Sequence, residues 1–266
     1  MENPSPQKSI IALGPWLQTP VGNYVREWEQ ACLDKLTVDI FGFKAMQIGM
    51  PQINALQANR MPHRWLSDTH LPIGPAAEGT SPIVVVHDFA ELPFASQSLD
   101  LVVLPHVLEF AEEPHQVLRE VERVLIPEGQ LIICGFNPAS LWGMRQFAGR
   151  LSGAHFLPQH GEFISMLRLK DWLKLLNLNV NRGYFGCYAP PFQADKWRNK
   201  FSFMEKAGDR WWPYLGAVYM VQAIKRIKGM RLVGPALTKQ TVKAPQGVPA
   251  TNKMHHDISE MKHRTK

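Results

Sequence analysis

Cysteine is scarce in this 266-residue chain: Cys32, Cys134 and Cys187 lie far apart and are odd in number. That argues against a disulfide framework and against a cysteine-based metal cluster. A reducing, cytoplasmic setting is expected. Long apolar runs are missing too. Residues 213–224 are apolar but fall short of a membrane span, and MENPSPQKSIIALGPW lacks the long apolar core of a secretory signal. No integral membrane segment is expected. His155, His160 and Glu162 follow no standard ligand spacing, so no metal site is expected. Most of the chain also lacks a basic excess. The formal charge is +6, but ten of the 29 Lys and Arg and only two of the 23 acids fall from Lys225 onward. The rest is slightly acidic, which argues against a nucleic-acid face on the folded body. A basic tail of this kind reads as a solvated, disordered extension. Weak, salt-sensitive contact with nucleic acid or an anionic surface is open to the tail alone.

What is present is the composition of a globular protein, 45% hydrophobic and 20% charged, with length for one large domain. Thr19-Pro20 is a helix start, Thr at the cap and Pro at the first position. Val21, Tyr24, Val25, Trp28, Ala31, Cys32 and Leu36 then form an apolar stripe, predicting a helix over 20–36. Short unbroken apolar runs at 45–48, 83–87 (IVVVH), 99–104 (LDLVVL) and 131–134 (LIIC) suit strands buried on both faces, as in a parallel sheet. Another strand is expected at 63–66. A short helix is expected at 54–62, and a Pro/Gly-rich loop at 69–82. Val117, Leu118, Val121, Val124 and Leu125 recur at helical spacing over 114–126, and Pro127, Glu128 and Gly129 stop that helix. Strand, helix, strand at this length is a right-handed crossover. Asn137-Pro138 initiates a turn before an amphipathic helix over 139–151. A helix over 169–176 ends at Asn177, with strands expected at 180–188 and 216–225. The aromatic, loop-rich segment 190–213 reads as a lid or a packed insertion.

The centre of the chain resembles a known family. Asp88, Leu92-Pro93-Phe94, Ser98-Leu99-Asp100, His106-Val107-Leu108-Glu109-Phe110 and Arg123-Val124-Leu125-Ile126-Pro127-Glu128-Gly129 stand in the order seen in class I S-adenosylmethionine-dependent methyltransferases, in the type-eleven, quinone-biosynthesis-like branch. The match is specific as a set and covers about a fifth of the chain. It implies a Rossmann-like α/β domain over 15–228: a mostly parallel seven-stranded sheet with helices on both faces. The last strand is then antiparallel beside the fifth, residues 1–14 are irregular, and 229–266 form the tail.

The resemblance also implies a site. S-adenosyl-L-methionine would lie against Gly49, Asp68, Asp88, Phe89, Leu104 and His106. Asp68 would hold the ribose hydroxyls, Asp88 would accept from the adenine amino group, and Phe89 would offer a backbone N–H and a flat wall. His106, Asn137 and Arg145 are the substrate-side candidates, and no catalytic base is assigned. The chain departs from the family where an acid and three alternating glycines are usual. Gly49 keeps the first glycine, but Gln47 replaces the acid, and Pro51 and Ile53 replace the second and third glycines. Proline removes a backbone donor. Two readings therefore stay open: a cofactor held by a rearranged loop, and a shell that binds something else or nothing. No Asn-Pro-Pro-Tyr-like motif of base-modifying enzymes is present, so a small-molecule acceptor is expected. The alternatives are a non-catalytic binding or regulatory protein and a nucleic-acid-associated protein acting through its tail. Oligomeric state is not legible.

Overall fold

The computed structural model describes residues 13–68, 83–86, 88–152, 157, 161–190 and 203–226. Most of the N-terminal segment, the loop 69–82, His155, His160, half of the expected lid and the basic tail lie outside the described residues. The chain divides into two units, Met1–Lys228 and Gly229–Lys266, and all the described residues fall in the first.

The first unit carries one seven-stranded sheet in the order β3-β2-β1-β4-β5-β7-β6. The strands are β1 (Lys44–Ile48), β2 (His63–Asp68), β3 (Ile83–Val86), β4 (Leu99–Pro105), β5 (Leu125–Phe136), β6 (Leu178–Gly186) and β7 (Val218–Lys225). β1 to β5 are parallel. β7 runs antiparallel to both neighbours, wedged between β5 and β6. Strand order reverses between β1 and β4. In an open α/β sheet this switch point is where a crevice forms outside the carboxyl ends of the strands. The helices are α1 (Pro20–Thr37), α2 (Val107–Phe110), α3 (Pro114–Val124), α4 (Leu141–Ser152), α5 (Met166–Leu175) and α6 (Phe203–Trp211).

α1 starts as read: the Thr19 hydroxyl accepts from Gly22 N at 3.1 Å and Pro20 takes the first position. Its buried face differs from the expected stripe. Gly22, Val25, Glu29, Leu33, Leu36 and Thr37 face inward, while Ala31 is exposed and Tyr24, Trp28 and Cys32 are half-buried. The face is thus turned toward position 29 and carries a carboxylate into the core. Asn59 closes the helix end by donating to Thr37 O (2.9 Å) and Ile40 O (3.1 Å).

The short helix expected at 54–62 is a run of turns. Side chains take its backbone groups: Gln47 Oε1 accepts from Ala55 N and Asn59 Oδ1 from Met61 N. α3 ends at Val124, and β5 begins at Leu125 with no connecting loop. Pro127, Glu128 and Gly129, expected as a helix stop, lie within the strand, with Glu128 at φ 64° beside a register irregularity. Such an irregularity bends a strand without ending it. β6 starts at Leu178 because Asn177 (φ 57°) ends α5 in the left-handed conformation, and Cys187 (φ 62°) closes the strand. Part of the expected loop 190–213 is α6 and a 3-10 turn, Pro213–Leu215. The Glu205 carboxylate on α6 accepts from Tyr188 N at 2.9 Å.

Two motif residues set the frame of the crevice. The Asp100 carboxylate accepts from Phe43 N (3.1 Å) and Lys44 N (2.9 Å), fixing the entry to β1. Arg123 donates to Leu92 O and Phe94 O at 2.9 and 2.8 Å and pairs with Glu120, which in turn accepts from Leu92 N. The Leu-Pro-Phe turn after β3 is thereby tied to α3.

Candidate functional site at the switch point

The carboxyl ends of β1 to β4 bring the sequence candidates to one edge. Gly49 follows β1, Asp68 ends β2, Asp88 and Phe89 follow β3, and His106 follows β4. Gly49 takes φ 72°, a left-handed conformation that glycine adopts without strain, and its N–H donates to Ser67 O at 2.6 Å. Asp68 is half-buried. Asp88 is exposed, and its carboxylate accepts from Ala90 N at 3.1 Å, so it forms the turn after β3. Leu104 is fully buried inside β4 as part of the core.

The loop after β1 is closed by one neutral side chain. Gln47, 3% exposed, donates from Nε2 to Gly49 O (3.0 Å), Met50 O (3.0 Å) and Ile53 O (2.8 Å), and accepts from Ala55 N (2.8 Å). A carboxylate here would face three carbonyl oxygens, so the amide is matched to this loop. Met50 and Ile53 both join the core. A Cβ built on Gly49 would stand 3.1 Å from Val107 Cγ2 and 3.4 Å from Phe89 Cζ. The fit to an adenosyl group is therefore divided: two carboxylates suit its hydroxyls and amino group, but the floor beside Gly49 is filled by the protein's own side chains.

The β4 side is built from charge. His106 sits at φ 55°, ψ 13°, fully buried. Its Nε2 lies 2.6 Å from Glu29 Oε1 on α1, and its Nδ1 lies 2.8 Å from Glu109 Oε2 on α2. The other Glu109 oxygen accepts from Phe136 N at the end of β5. The other Glu29 oxygen, Oε2, is buried and has no hydrogen-bond partner among the described residues. Burial alone would lower the imidazole pKa. The two carboxylates, Glu29 foremost, outweigh it and hold His106 up at about 10, so the ring is an imidazolium at neutral pH. Burial pushes the Glu109 carboxyl up, against the pull of His106. A Cβ on Gly135 would stand 2.6 Å from the Tyr219 hydroxyl and 3.2 Å from Glu109 Oε1, so glycine there lets β7 reach the cluster. Burial drives the Tyr219 phenol well up, and Glu109 adds to it.

His106 thus has both ring nitrogens engaged by carboxylates. Asn137, also a substrate-side candidate, is 4% exposed. Its amide donates to Tyr214 O (2.8 Å) and Gly216 O (3.0 Å), and its Oδ1 accepts from Ala139 N (3.1 Å), binding the end of β5 to the approach to β7. Arg145 is exposed on α4. Trp142 is buried, and its indole donates to Ala189 O at 2.7 Å. His115 is exposed but its ring lies 3.9 Å from that of Trp172, a contact not read from sequence. Sequence reasoning missed Glu29 and gave Glu109 only a helix-end role. The available signal was position 29, four residues from Val25 and from Leu33 on the buried face of α1.

Behind the cluster the ring of Phe136 lies tilted against His106 at 4.4 Å and meets Phe163 at 5.6 Å. Phe163, Pro138, Met144 and Phe147 line a groove of about 540 Å³ beside α4.

Residues 68–133 match the family described as Methyltransferase domain. The chain is 30% identical over 246 residues to the uncharacterized protein YafS of Escherichia coli K12, covering 92% of this chain and 94% of that one. A 93-residue stretch is 36% identical to the malonyl-[acyl-carrier protein] O-methyltransferase of Laribacter hongkongensis, spanning 35% of this chain and 30% of that enzyme. A SAM-dependent methyltransferase from Archaeoglobus fulgidus superposes with a TM-score of 0.55 at 19% identity, over 75% of this chain and 94% of that one. Residues 68–133 thus carry a methyltransferase domain of the type-eleven family, set in the seven-stranded order of the class I methyltransferase fold, and the chain as a whole belongs with YafS.

Proposed function

We propose that this chain transfers a methyl group from S-adenosyl-L-methionine to a small-molecule acceptor. The observation that carries the reading is the placement of Asp68 and Asp88 on the carboxyl ends of neighbouring strands, next to Gly49 in its left-handed turn. Asp68 would take the ribose hydroxyls, Asp88 the adenine amino group, Phe89 N a ring nitrogen, and the Leu104 and His106 end of β4 the methionine part. Sulfonium chemistry needs little help beyond holding two reactants close and in line, which suits a site without an assigned base. The acceptor would lie in the groove formed by Pro138, Met144, Phe147 and Phe163, whose lining favours a mostly apolar molecule; Arg145, exposed on the same helix, stays the charged substrate-side candidate. The unpaired thiols suit a cytoplasmic location.

The test is calorimetric titration with S-adenosylmethionine and S-adenosylhomocysteine. Saturable binding is expected, weakened about tenfold or more by Asp88→Ala, the cost of one hydrogen bond to a charged group. Absence of binding at millimolar ligand removes the enzymatic reading.

A second reading, a binding or regulatory protein that keeps the methyltransferase shell, is favoured by the Gln47 amide closing the loop after β1. The same titration separates the two. Action on nucleic acid through the basic tail rests on charge alone, and salt-dependent binding lost on deleting residues 231–266 would support it.

A further inference from the structure

Phe89 stands on a turn, not in a strand or helix, between exposed Asp88 and half-buried Ala90. Yet its side chain is one of the core residues, 5% exposed. The turn carrying it follows β3, while its ring edge ends against Gly49, which follows β1. β2 lies between those two strands. The ring therefore reaches across the carboxyl end of β2, where Asp68 stands, toward a strand two spacings, or about 9–10 Å, from β3. Val107, on the β4 side of the switch point, also closes on Gly49, its Cγ2 3.1 Å from a Cβ built there. The crevice that this topology creates for a ligand is thus closed by an aromatic ring from one flank and an aliphatic side chain from the other.

We infer that Phe89 is an intramolecular plug: its ring occupies the nucleoside position of the crevice, and the adenosyl ligand enters only when that ring swings out. The inference rests on the methyltransferase reading and says how that site is gated. A plug of this kind is displaceable because the contact with Gly49 is made by Cζ, the far end of a side chain that turns about two bonds. Asp88 and Ala90 keep the backbone turn in place while the ring moves, through the 3.1 Å bond between them. Arg123 and Glu120 hold the far side of the same turn. Val107, by contrast, is fixed in α2 and fully buried. The ring is the movable half of the closure. A flat aromatic group also leaves behind a space whose shape suits a purine. A plugged site must eject its own occupant, so the apparent affinity of the resting protein is lowered by the fraction of time the ring is in.

The experiment compares S-adenosylhomocysteine binding to the wild-type chain and to Phe89→Ala by calorimetry, with the ligand-induced rise in melting temperature as a second readout. Emptying the position should tighten binding about tenfold or more, and the ligand should raise the melting temperature of the variant by more than that of the wild type, since it refills the space. If the alanine variant does not fold, Phe89→Leu gives the same comparison with a smaller effect. Equal affinities would overturn the plug and leave the methyltransferase reading intact. Weaker binding by the variant would also overturn it, making Phe89 a wall on which the base rests. No binding by either protein at millimolar ligand would remove the methyltransferase reading together with the plug.

Discussion

The turn after β1 and the turn after β4 face each other across the switch point, and each is closed by different physics. On the β1 side a single neutral amide, Gln47, gathers three carbonyls and one N–H from residues 49–55. Every one of these partners lies within eight residues, so the closure is local. On the β4 side an imidazolium is shared by carboxylates from α1 and α2, with Glu29 and His106 separated by 77 residues. Charges so deeply buried are strongly coupled to one another and costly to leave unpaired. The first side is closed by side-chain bonds that stay within one short segment. The second ties α1, β4, α2 and β5 together.

The comparison can be broken most severely at His106. His106→Ala leaves Glu29 and Glu109 buried with no cation between them, and a loss of about 3–5 kcal/mol of unfolding free energy is expected, measured by urea titration. A much smaller loss would mean that water or a proton replaces the ring, and that the cluster is not the rigid side. Gln47→Ala should cost about 1–3 kcal/mol, because Ala55 N and the loop carbonyls are left partly unsatisfied. Hydrogen exchange should then accelerate in residues 49–55 while β4 and α1 stay protected. Faster exchange spreading to α1 would contradict the local character of that closure.

The mildest probe is pH. The folded pKa of His106, about 10, lies above its ordinary 6.5. Its protonated ring therefore stabilises the fold fully below pH 6.5, and that contribution is lost as pH rises toward 10. The raised Glu109 carboxyl works in the same direction above its ordinary 4.5. Cys134 and Tyr219, facing the cluster from β5 and β7 and both pushed up by burial, add to the loss once their ordinary values of 9.0 and 10.0 are approached. In the window from pH 6.5 to about 9.0 the imidazole titrates alongside the raised Glu109 carboxyl, before the thiol and the phenol contribute. Wild-type stability should fall across it, and His106→Gln should flatten the fall. An unchanged slope in the variant would show that His106 is not the titrating group.

The same contrast explains what the sequence could and could not disclose. The parallel strands were readable because IVVVH, LDLVVL and LIIC are short, β-branched and unbroken, and the antiparallel insertion of β7 followed from the family motif. The Arg123 and Asp100 motif positions were recognisable, but their work of tying turns to α3 and β1 emerges only from distances. Gln47 reads from sequence as a missing acid; that it satisfies a whole loop emerges only from the fold. Glu29 was invisible for a physical reason. A charged residue inside an apolar stripe is normally assigned to the solvent side, and its partner is 77 residues away. Asn137 reads toward substrate because it follows a strand, whereas its amide is consumed by the carbonyls of Tyr214 and Gly216. Phe89 was assigned a wall from its neighbour Asp88, and only its contact with Gly49 shows how far its ring extends.

The position of β7 has a consequence for how the chain is made. The strand synthesised last among the seven is an interior one, joined to β5 along 130–136 and to β6 along 178–186. Until the ribosome has released residues up to Lys225, β5 offers a bare ladder of hydrogen-bonding groups, and β6 has no neighbour to join. When β7 arrives, Lys225 fastens its end by donating to Glu122 O and Leu125 O at 2.6 and 3.0 Å. Nascent chains of this protein thus carry an adhesive edge from the completion of β5 at Phe136 until Lys225 is made, and completion of the sheet is the moment at which that edge disappears.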